Sequence, residues 1–420
     1  MSKQQGRRVA PNSLRGVARH GRLPQRSGLK TAAKIIAGGL AVVTASSVSL
    51  AAYATWNVAH QISDNAVVLT QDDTDSPTPA PEIDELEGGF NVLFVGADNE
   101  EGQNEAEFGK RGATLNDFNM LLHVSADHTN ATALSIPRDL VISHPECSDA
   151  TTGQTYSAMS AQPVNEAMGR GGLPCVVDTV ENLTGLSIPY AAVLSFDGVR
   201  GISDAIGGVE VCVADPINDK DSGLQLEAGV QTLSGDEALK FLRTRHGVGD
   251  GSDLARISGQ QAYLSSLLRK VKSDGTLSNV GTLYSLANVA AQTITLSSSL
   301  ANVDQMIGMA RVFRNMDLAN VTFVQYPALD DPDRPGKIIP NEAQSDPLLA
   351  LIAADQPVIL DGDSTGRGTE LDPNAPAAPV EPEPAATGDA TAPAAPGGTP
   401  SSAAPQTTAP AAAPTPIKDL

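Results

Sequence analysis

The feature that most constrains this chain is a charge boundary near its N-terminus. Residues 1–34 carry nine basic side chains and no acidic one, and the next 22 residues, Ile35–Trp56, carry no charge. At about 1.5 Å per residue, a helix of that length crosses the hydrocarbon core of a bilayer. Residues 57–90 then hold eight acids and no Lys or Arg. Because cytoplasmic flanks are rich in Lys and Arg, we expect one transmembrane helix over residues 35–56, with residues 1–34 in the cytoplasm and the rest of the chain outside.

Two other interpretations of this apolar segment are a buried core helix and a signal peptide cleaved near Ala51–Ala54. We favour an uncleaved signal-anchor, because the apolar run exceeds the roughly 7–15 residues usual in a signal peptide. Tyr53 and Trp56 also suit the outer interface of the membrane. The expected location is therefore the cell membrane, crossed once.

Composition divides the rest of the chain into a stalk, a globular part and a tail. Residues 57–89 are acidic and contain three prolines, which predicts a semi-rigid extracytoplasmic stalk. Residues 358–420 are rich in Ala, Pro and Thr, and we expect them to be disordered because they cannot bury enough apolar surface. The globular part is then 90–357. A net charge of −21 argues against a nucleic-acid partner, since nucleic-acid-binding proteins present a basic face.

Short apolar runs alternate with helical periodicity in the globular part. The predicted strands are Phe90–Gly96, Met120–Val124, Thr132–Pro137, Ala191–Phe196, Val209–Val213 and Val321–Tyr326. The predicted helices are Cys175–Leu183, a short helix ending at Gly207-Gly208, a helix from Ser234 to about Thr244, Leu254–Val271 and Val303–Phe313. Ser234, followed three residues later by Glu237, predicts a capping box. The alternation favours an α/β fold, with a layered central sheet and helices on both faces.

Charged residues gather at the ends of these predicted elements, whereas the sequence lacks the common motifs of serine hydrolases, zinc proteases and nucleotide-binding proteins. The gathered residues are Asp98, Asp117, Arg138, Asp139, Arg243, Arg245, Arg256 and Gln260. Ligands collect at the carboxyl ends of strands in open α/β sheets. Carboxylates there can hold Mg²⁺ and Arg side chains can bind phosphate, so a pyrophosphate ligand would suit this set. The alternative is that each Arg pairs with an Asp on a solvated surface.

The segments that contain these residues resemble the LytR-CpsA-Psr family of cell-wall glycopolymer ligases, of the actinobacterial type. In chain order, the similar segments are NVLFVGAD (Asn91–Asp98), NDFNMLLHV (Asn116–Val124), LSIPRD (Leu134–Asp139), NEAMGRGG (Asn165–Gly172), SFDGVRGISDAIGGVEV (Ser195–Val211), LSGDEALKFLRTRHG (Leu233–Gly247) and DLARISGQQ (Asp253–Gln261). Together they cover roughly Phe90–Tyr326.

The resemblance implies an α/β catalytic domain with a long apolar groove for a polyprenyl chain, and a pyrophosphate head group beside Mg²⁺ or Mn²⁺. Such enzymes move a glycopolymer from a polyprenyl-pyrophosphate donor to a hydroxyl of peptidoglycan or of a surface glycoprotein. The resemblance assigns the metal to Asp98 and Asp117, and the pyrophosphate to Arg138, Arg243, Arg245, Arg256 and Gln260. It implies that the residues acting in catalysis are Asp98, Arg138, Arg245 and Arg256. Asp139 would orient Arg138.

Two positions depart from the family pattern. The usual Arg-x-Asp is Leu115-Asn116-Asp117 here, so one phosphate-contacting Arg is absent, and Arg111 or Lys110 is a candidate substitute. A second usual Arg is replaced by Gly259. Both departures bear on efficiency and donor specificity.

Two alternative functions stay open on sequence alone. A hydrolase of the same lipid pyrophosphate would use identical residues with water as the acceptor. A non-catalytic envelope protein that binds glycolipid is the other alternative. The general base is also open, between Asp98, Asp139 and a metal-bound network.

The three cysteines suggest one disulfide. An extracytoplasmic location is oxidising, and Cys147 and Cys175 both lie in or beside predicted loops, so we expect them to pair. Cys212 lies in an apolar predicted strand and is expected to be a buried free thiol. Pairing of Cys175 with Cys212 is the alternative.

Overall fold

The computed structural model describes residues 53, 56–69, 88–98, 114–149, 152–245, 248, 251, 253–272 and 280–360. The chain divides into two units, Met1–Trp56 and Asn57–Leu420. In the first unit only Tyr53 and Trp56 are described, and their ring centroids are 6.3 Å apart. None of the helices in the described ranges is long and apolar enough to span a membrane. The predicted basic segment, the predicted tail beyond residue 360 and most of the predicted anchor lie outside the described residues.

The second unit contains strands and helices that we number in chain order. The strands are β1 Phe90–Asp98, β2 Leu115–Val124, β3 Ala131–Ser135, β4 Val141–His144, β5 Cys147–Ser148, β6 Thr155–Tyr156, β7 Met159–Pro163, β8 Tyr190–Leu194, β9 Val209–Val213, β10 Ile217–Asp219, β11 Leu224–Leu226, β12 Gly229–Leu233, β13 Ile294–Leu296, β14 Val321–Gln325, β15 Ala328–Asp330 and β16 Ile338–Pro340. The helices are α1 Met168–Thr184, α2 Phe196–Ala205, α3 Gly235–Arg243, α4 Asp253–Lys272, α5 Val280–Thr293, α6 Val303–Asn315 and α7 Glu342–Ala353.

Six strands form a mixed central sheet in the order β13-β8-β1-β2-β3-β14. β1 is parallel to β8 and β14 is parallel to β3, whereas β2 runs antiparallel to both of its neighbours. The carboxyl ends of β1, β3, β8 and β14 therefore lie at one edge of the sheet, next to the start of β2. The α/β fold with a central sheet agrees with the prediction.

One face of this sheet is fully covered, and we call it the closed face. Leu93, Leu121 and Leu134 point to this face and are at most 1% exposed. α1 and α7 supply the covering side chains to the same apolar cluster. Because strand residues alternate between faces, each of these side chains has neighbours in its strand that point to the other side.

The opposite face, which we call the open face, is covered less completely. Val92, Val124 and Ala192 are buried on this face. Phe94, Leu122 and Leu194 also point to it from three adjacent strands, but all three are only partly buried. α6 packs against this face through Met309 and Val312. Helices therefore lie on both faces, as predicted, but they cover the two faces to different extents.

A second apolar cluster lies outside the central sheet. It joins the paired strands β9 and β12 to α3 and α4, with Phe241 and Tyr263 at its centre. The predicted strand Val209–Val213 therefore forms where expected, but it pairs with β12 and belongs to a two-stranded sheet rather than to the central one.

The folded domain extends beyond the predicted bounds 90–357. Residues 56–64 are helical, and Leu69 is buried in the cluster under the closed face, although 57–89 was expected to be a stalk. The backbone N–H of Val67 donates to the carbonyl of Leu296 at 2.8 Å. At the other end, Val358 is only 4% exposed although the predicted tail begins there. Apolar side chains in both flanks favour burial over the acidic or Ala/Pro-rich character of their surroundings.

A second difference concerns the start of α3. The helix begins at the predicted position, but the Ser234 side chain makes no capping hydrogen bond. The backbone carbonyl of Ser234 instead accepts from the N–H of Glu237 at 3.0 Å, and Gly235 turns the chain with a φ of +48°. A left-handed glycine thus provides the turn that the capping box was expected to provide.

A disulfide joins Cys147 to Cys175, the pair that the sequence favours, with a Cα–Cα distance of 5.3 Å. Gly171 leaves room for it, since a Cβ on that residue would lie 2.5 Å from the Cys175 sulfur. Cys212 is a free thiol, but it is half-buried rather than buried. It lies in a strand of the smaller sheet, one position from the buried Val213.

Candidate active site at the carboxyl edge of the central sheet

A β-bulge aims the first acidic side chain of the site. β1 and β2 pair Gly96 with Phe118 but Ala97 with Asn116, so Asp117 is the extra residue between two paired positions. Such bulges redirect a side chain and are frequent beside active sites. The bulge is braced by Asn116, which is fully buried and accepts from the backbone N–H of Met168 at 3.1 Å.

Arg138 follows β3 at this edge and is surrounded by three carboxylates. Its Nη1 donates to Asp117 Oδ1 at 2.7 Å, and its Nε lies 3.4 Å from both Asp139 Oδ2 and Asp253 Oδ1. Burial opposes its charge, but the three carboxylates outweigh that effect and raise the pKa of Arg138. Arg138 is therefore held in its charged form at the carboxyl edge of the central sheet.

Arg256 reaches the same cluster from the first turns of α4. Its Nη2 lies 2.8 Å from Asp253 Oδ1 and donates to the backbone carbonyl of Asp117 at 3.3 Å. Arg256 is 6% exposed, and burial, opposed by Asp253 and reinforced by the charges of Arg138 and Arg245, lowers its pKa. Even a lowered guanidinium pKa leaves Arg charged at neutral pH.

Asp253 is a member of this cluster that the sequence prediction missed. It lies three residues before Arg256, a spacing that places two helical side chains on one face and could have drawn attention to it. Its two carboxylate oxygens are buried, yet neither accepts a hydrogen bond of good geometry from a described residue. The Nε groups of Arg138 and Arg256 are likewise buried and make no hydrogen bond of good geometry to a described residue, although Arg138 Nε is ion-paired with Asp139 and Asp253. Buried polar groups are normally satisfied, so this cluster has unused capacity toward a ligand.

The remaining predicted residues lie around the cluster in three different ways. Arg245 is half-buried and donates its backbone N–H to Asp219 Oδ2 at 3.2 Å, which fixes the chain after α3. Arg243 is exposed, and its guanidinium lies 4.5 Å above the ring of Phe196. Gln260 is buried and donates its amide to the backbone carbonyl of Leu242 at 2.9 Å.

A lysine from a distant part of the sequence also reaches the cluster. Lys337 Nζ lies 2.6 Å from Asp139 Oδ1. Burial opposes ionisation of Asp139, but the hydrogen bond from Lys337 and the charge of Arg138 together lower the pKa of this carboxyl group below its ordinary value. No local pattern marks Lys337, because its partner is 198 residues away in the chain.

The donor set can be compared with the needs of Mg²⁺. Among the described residues, no three or more Asp, Glu, His or Cys side chains are arranged as a metal site. Mg²⁺, however, usually keeps several waters and needs only one or two carboxylates together with phosphate oxygens. Asp117 provides one carboxylate, and the backbone of Asp98 pairs with Leu115 nearby, although the Asp98 side chain lies outside the described part. Asp117 is therefore a described carboxylate that could share a Mg²⁺ with a bound pyrophosphate, and it already accepts a hydrogen bond from Arg138.

Taken together, the edge presents guanidinium groups held by carboxylates at the end of a sheet whose open face is apolar. Such guanidinium groups can donate charge-assisted hydrogen bonds to a phosphorylated head group in a shielded position. An attached apolar chain could contact the partly buried side chains of the open face.

Comparisons with known proteins identify relatives of this chain and support its fold. The chain is 31% identical over 265 residues to the cell wall biosynthesis protein LcpA of Corynebacterium glutamicum, covering 57% of this chain and 50% of LcpA. It is 26% identical over 308 residues to the polyisoprenyl-teichoic acid–peptidoglycan teichoic acid transferase TagT of Bacillus subtilis, covering 71% of this chain and 87% of TagT. The crystal structure of B. subtilis TagV superposes with a TM-score of 0.50 at 21% identity, covering 64% of this chain and 98% of TagV, which supports the fold.

The chain spans about half the length of LcpA. The model of the LytR_cpsA_psr family matches residues 55–343, well over half of the chain and including every residue of the site. This chain therefore belongs to the LytR_cpsA_psr family.

Proposed function

We propose that this protein transfers a glycopolymer from a polyprenyl-pyrophosphate donor to a hydroxyl group of peptidoglycan. The observation that carries the proposal is the pair Arg138 and Arg256, which carboxylates hold together at the carboxyl edge of the central sheet. The name of the relative TagT describes a transferase that joins teichoic acid from a polyisoprenyl carrier to peptidoglycan.

The two parts of the donor would bind to two parts of the sheet. The pyrophosphate lies at the carboxyl edge, where Arg138, Arg245 and Arg256 counter its charge. The polyprenyl chain lies along the open face, in contact with Phe94 and Leu122. We assign Gln260 and Arg243 to the rim of the head-group site, where Gln260 holds the end of α3 in place.

In the proposed reaction, the acceptor hydroxyl oxygen attacks the phosphorus that bears the glycopolymer. A new P–O bond forms, the bond from that phosphorus to the bridging oxygen breaks, and polyprenyl phosphate leaves. The guanidinium groups stabilise the negative charge that develops on the non-bridging and leaving oxygens. When bound, Mg²⁺ or Mn²⁺ would neutralise further phosphate charge.

The hydroxyl proton needs an acceptor. Asp139 is the weaker candidate, because Lys337 and Arg138 engage its two oxygens and lower its pKa. Asp98, the last residue of β1, is the stronger candidate and would also be a metal ligand with Asp117.

A reconstituted transfer assay tests the proposal. Full-length protein in detergent is mixed with lipid-linked glycopolymer and peptidoglycan, with Mg²⁺ or with a chelator, and attachment to peptidoglycan is measured. We expect Mg²⁺-dependent attachment, reduced about a hundredfold in Arg245→Ala because a charge-assisted contact to the reacting phosphate is lost. Arg334→Ala is a control, since Arg334 is 44% exposed and pairs with Asp331, outside the charged cluster.

The outcome also separates the alternative functions. Release of free glycopolymer phosphate without attachment would indicate a hydrolase. Donor binding without any turnover would indicate a non-catalytic glycolipid-binding protein. Arg256→Ala is less informative than Arg245→Ala, because Arg256 is buried against Asp253 and its removal would leave an unpaired buried carboxylate.

The proposal includes a location at the cell membrane. Residues 35–56 would cross the bilayer once, with the catalytic domain outside. Protease treatment of intact protoplasts should remove an epitope at the C-terminus and spare one at the N-terminus. Protection of the C-terminal epitope would reverse the orientation.

A further inference from the structure

The hairpin formed by β15 and β16 carries a cation into the site. We propose that Lys337 is a fourth cation of the pyrophosphate site, held in place by Asp139, and that it binds a phosphate oxygen of the donor. The inference rests on the proposed function and adds a ligand-binding residue to it.

The position of Lys337 is fixed by the backbone as well as by its side chain. The N–H of Ile338 donates to the carbonyl of Asp139 at 3.3 Å, so the hairpin is attached to the residues that directly follow Arg138. Within the loop, the N–H of Asp331 donates to the carbonyl of Lys337 at 2.9 Å, and the N–H of Lys337 donates to that of Arg334 at 3.0 Å. These hydrogen bonds fix the backbone of Lys337 beside the charged cluster.

Asp139 lies between two cations. One carboxylate oxygen contacts Lys337 Nζ at 2.6 Å, and the other lies 3.4 Å from Arg138 Nε. The charge of Arg256 also acts on Asp139. Lys337 is thus joined through a single carboxylate to the pair of arginines that we assign to the pyrophosphate.

Lys337 retains donors for a ligand. An ammonium group has three N–H donors, and Asp139 Oδ1 is the acceptor that the described structure provides. The side chain is 32% exposed, so its remaining donors are accessible from solvent. Arg138, in comparison, is only 14% exposed and is surrounded by carboxylates.

The charge of the cluster also calls for a further cation. Around Arg138 and Arg256 lie three carboxylates, those of Asp117, Asp139 and Asp253, so this inner group has a formal charge of −1. A pyrophosphate diester brings about two more negative charges, which such a group would repel. Arg245 and Lys337 raise the sum over these side chains to +1, and it is zero when Asp98 is included. Without Lys337 the group that includes Asp98 would be negative and would repel the donor.

A purely structural interpretation makes a different prediction. If Lys337 only attached the hairpin to Asp139, its loss would lower stability slightly and leave the affinity for pyrophosphate unchanged. The matched control lies in the same loop, because Arg334 contacts Asp331 and the carbonyl of Ala161 and has the same charge as Lys337.

The test measures binding of inorganic pyrophosphate and of farnesyl pyrophosphate to full-length protein by calorimetry. We expect Lys337→Gln to weaken both affinities about tenfold, because one charged hydrogen bond to the ligand is lost. Lys337→Arg should keep most of the affinity. Arg334→Gln should leave both affinities unchanged. Thermal unfolding shows whether each variant is folded, and Lys337→Met replaces Lys337→Gln if the latter is not. Equal binding by a folded Lys337→Gln or Lys337→Met variant and by the unaltered protein would overturn this inference alone. Absence of binding to the unaltered protein would overturn the proposed function as well.

Discussion

The two faces of the central sheet are built from the same strands but packed to different degrees. On the closed face, Leu121 is 1% exposed under α1 and α7. Its neighbour Leu122 points to the open face and is only partly buried. A folded domain gains stability by burying such side chains, so partly exposed apolar groups in the middle of a sheet indicate that something other than stability is served there.

The difference in packing suggests that stability and ligand binding depend on different faces of the sheet. The closed face should carry the folding free energy, and the open face should carry affinity for an apolar chain. The charged cluster lies at the edge that the two faces share, which would allow a lipid on one face to present its head group to Arg138 and Arg256.

The largest stability effect is expected from the disulfide that joins β5 to α1, the helix that covers the closed face. Replacing both Cys147 and Cys175 by Ser opens a loop between residues 28 apart in sequence and should cost about 3–4 kcal/mol in free energy of unfolding. Denaturant unfolding measures the loss. Farnesyl pyrophosphate affinity should be unchanged in the folded variant, and a parallel loss of affinity would show that the two faces are not independent.

The adjacent leucines of β2 give the most direct comparison of the faces. Leu121→Ala should lower the free energy of unfolding by about 3 kcal/mol, because it leaves a cavity in a closed core. Leu122→Ala should cost about 1 kcal/mol, since a partly exposed side chain loses less burial. Equal losses, measured by denaturant unfolding in the same buffer, would mean that the open face is packed as tightly as the closed one.

A smaller effect concerns acid stability beside the closed face, where β4 packs on α1. Burial, together with the charge of Arg170, lowers the pKa of His144 to about 4. The unfolded chain binds a proton near pH 6.5 and the folded chain does not, so this group should remove about 2 kcal/mol of stability between pH 7.5 and pH 5. His144→Gln should reduce the pH dependence by that amount, and an unchanged pH profile would contradict the assigned burial.

Part of this architecture could be predicted from local sequence. Runs such as Phe90–Gly96 and Val321–Tyr326 are short, apolar and bounded by turn residues, so their strands were found to within two residues. α5 was missed because Val280–Thr293 contains no charged residue and shows no clear alternation of polar and apolar faces. The pairing of Val209–Val213 with β12 could not be predicted from local sequence either, because tertiary contacts decide which strands pair.

The site residues also include some that local sequence predicts and some that it does not. Asp117 and Arg138 could be proposed because they flank strands, and the sheet order then brings them to 2.7 Å. The bulge that singles out Asp117 depends on the register between two strands, and no single segment encodes it. Lys337 directly precedes β16, whose Ile338 forms a β-bridge with Leu140. This contact joins segments that are far apart in the chain, so residue spacing cannot predict it.

The measurement that tests the division between the two faces most directly compares two ligands on one variant. Unaltered full-length protein should bind farnesyl pyrophosphate more tightly than inorganic pyrophosphate, because the apolar chain gains contacts on the open face. Leu122→Trp should fill that space, change the free energy of unfolding by less than about 1 kcal/mol, and bring the two affinities close to each other. A full preference for farnesyl pyrophosphate in the folded Leu122→Trp variant would contradict the assignment of the open face to the lipid.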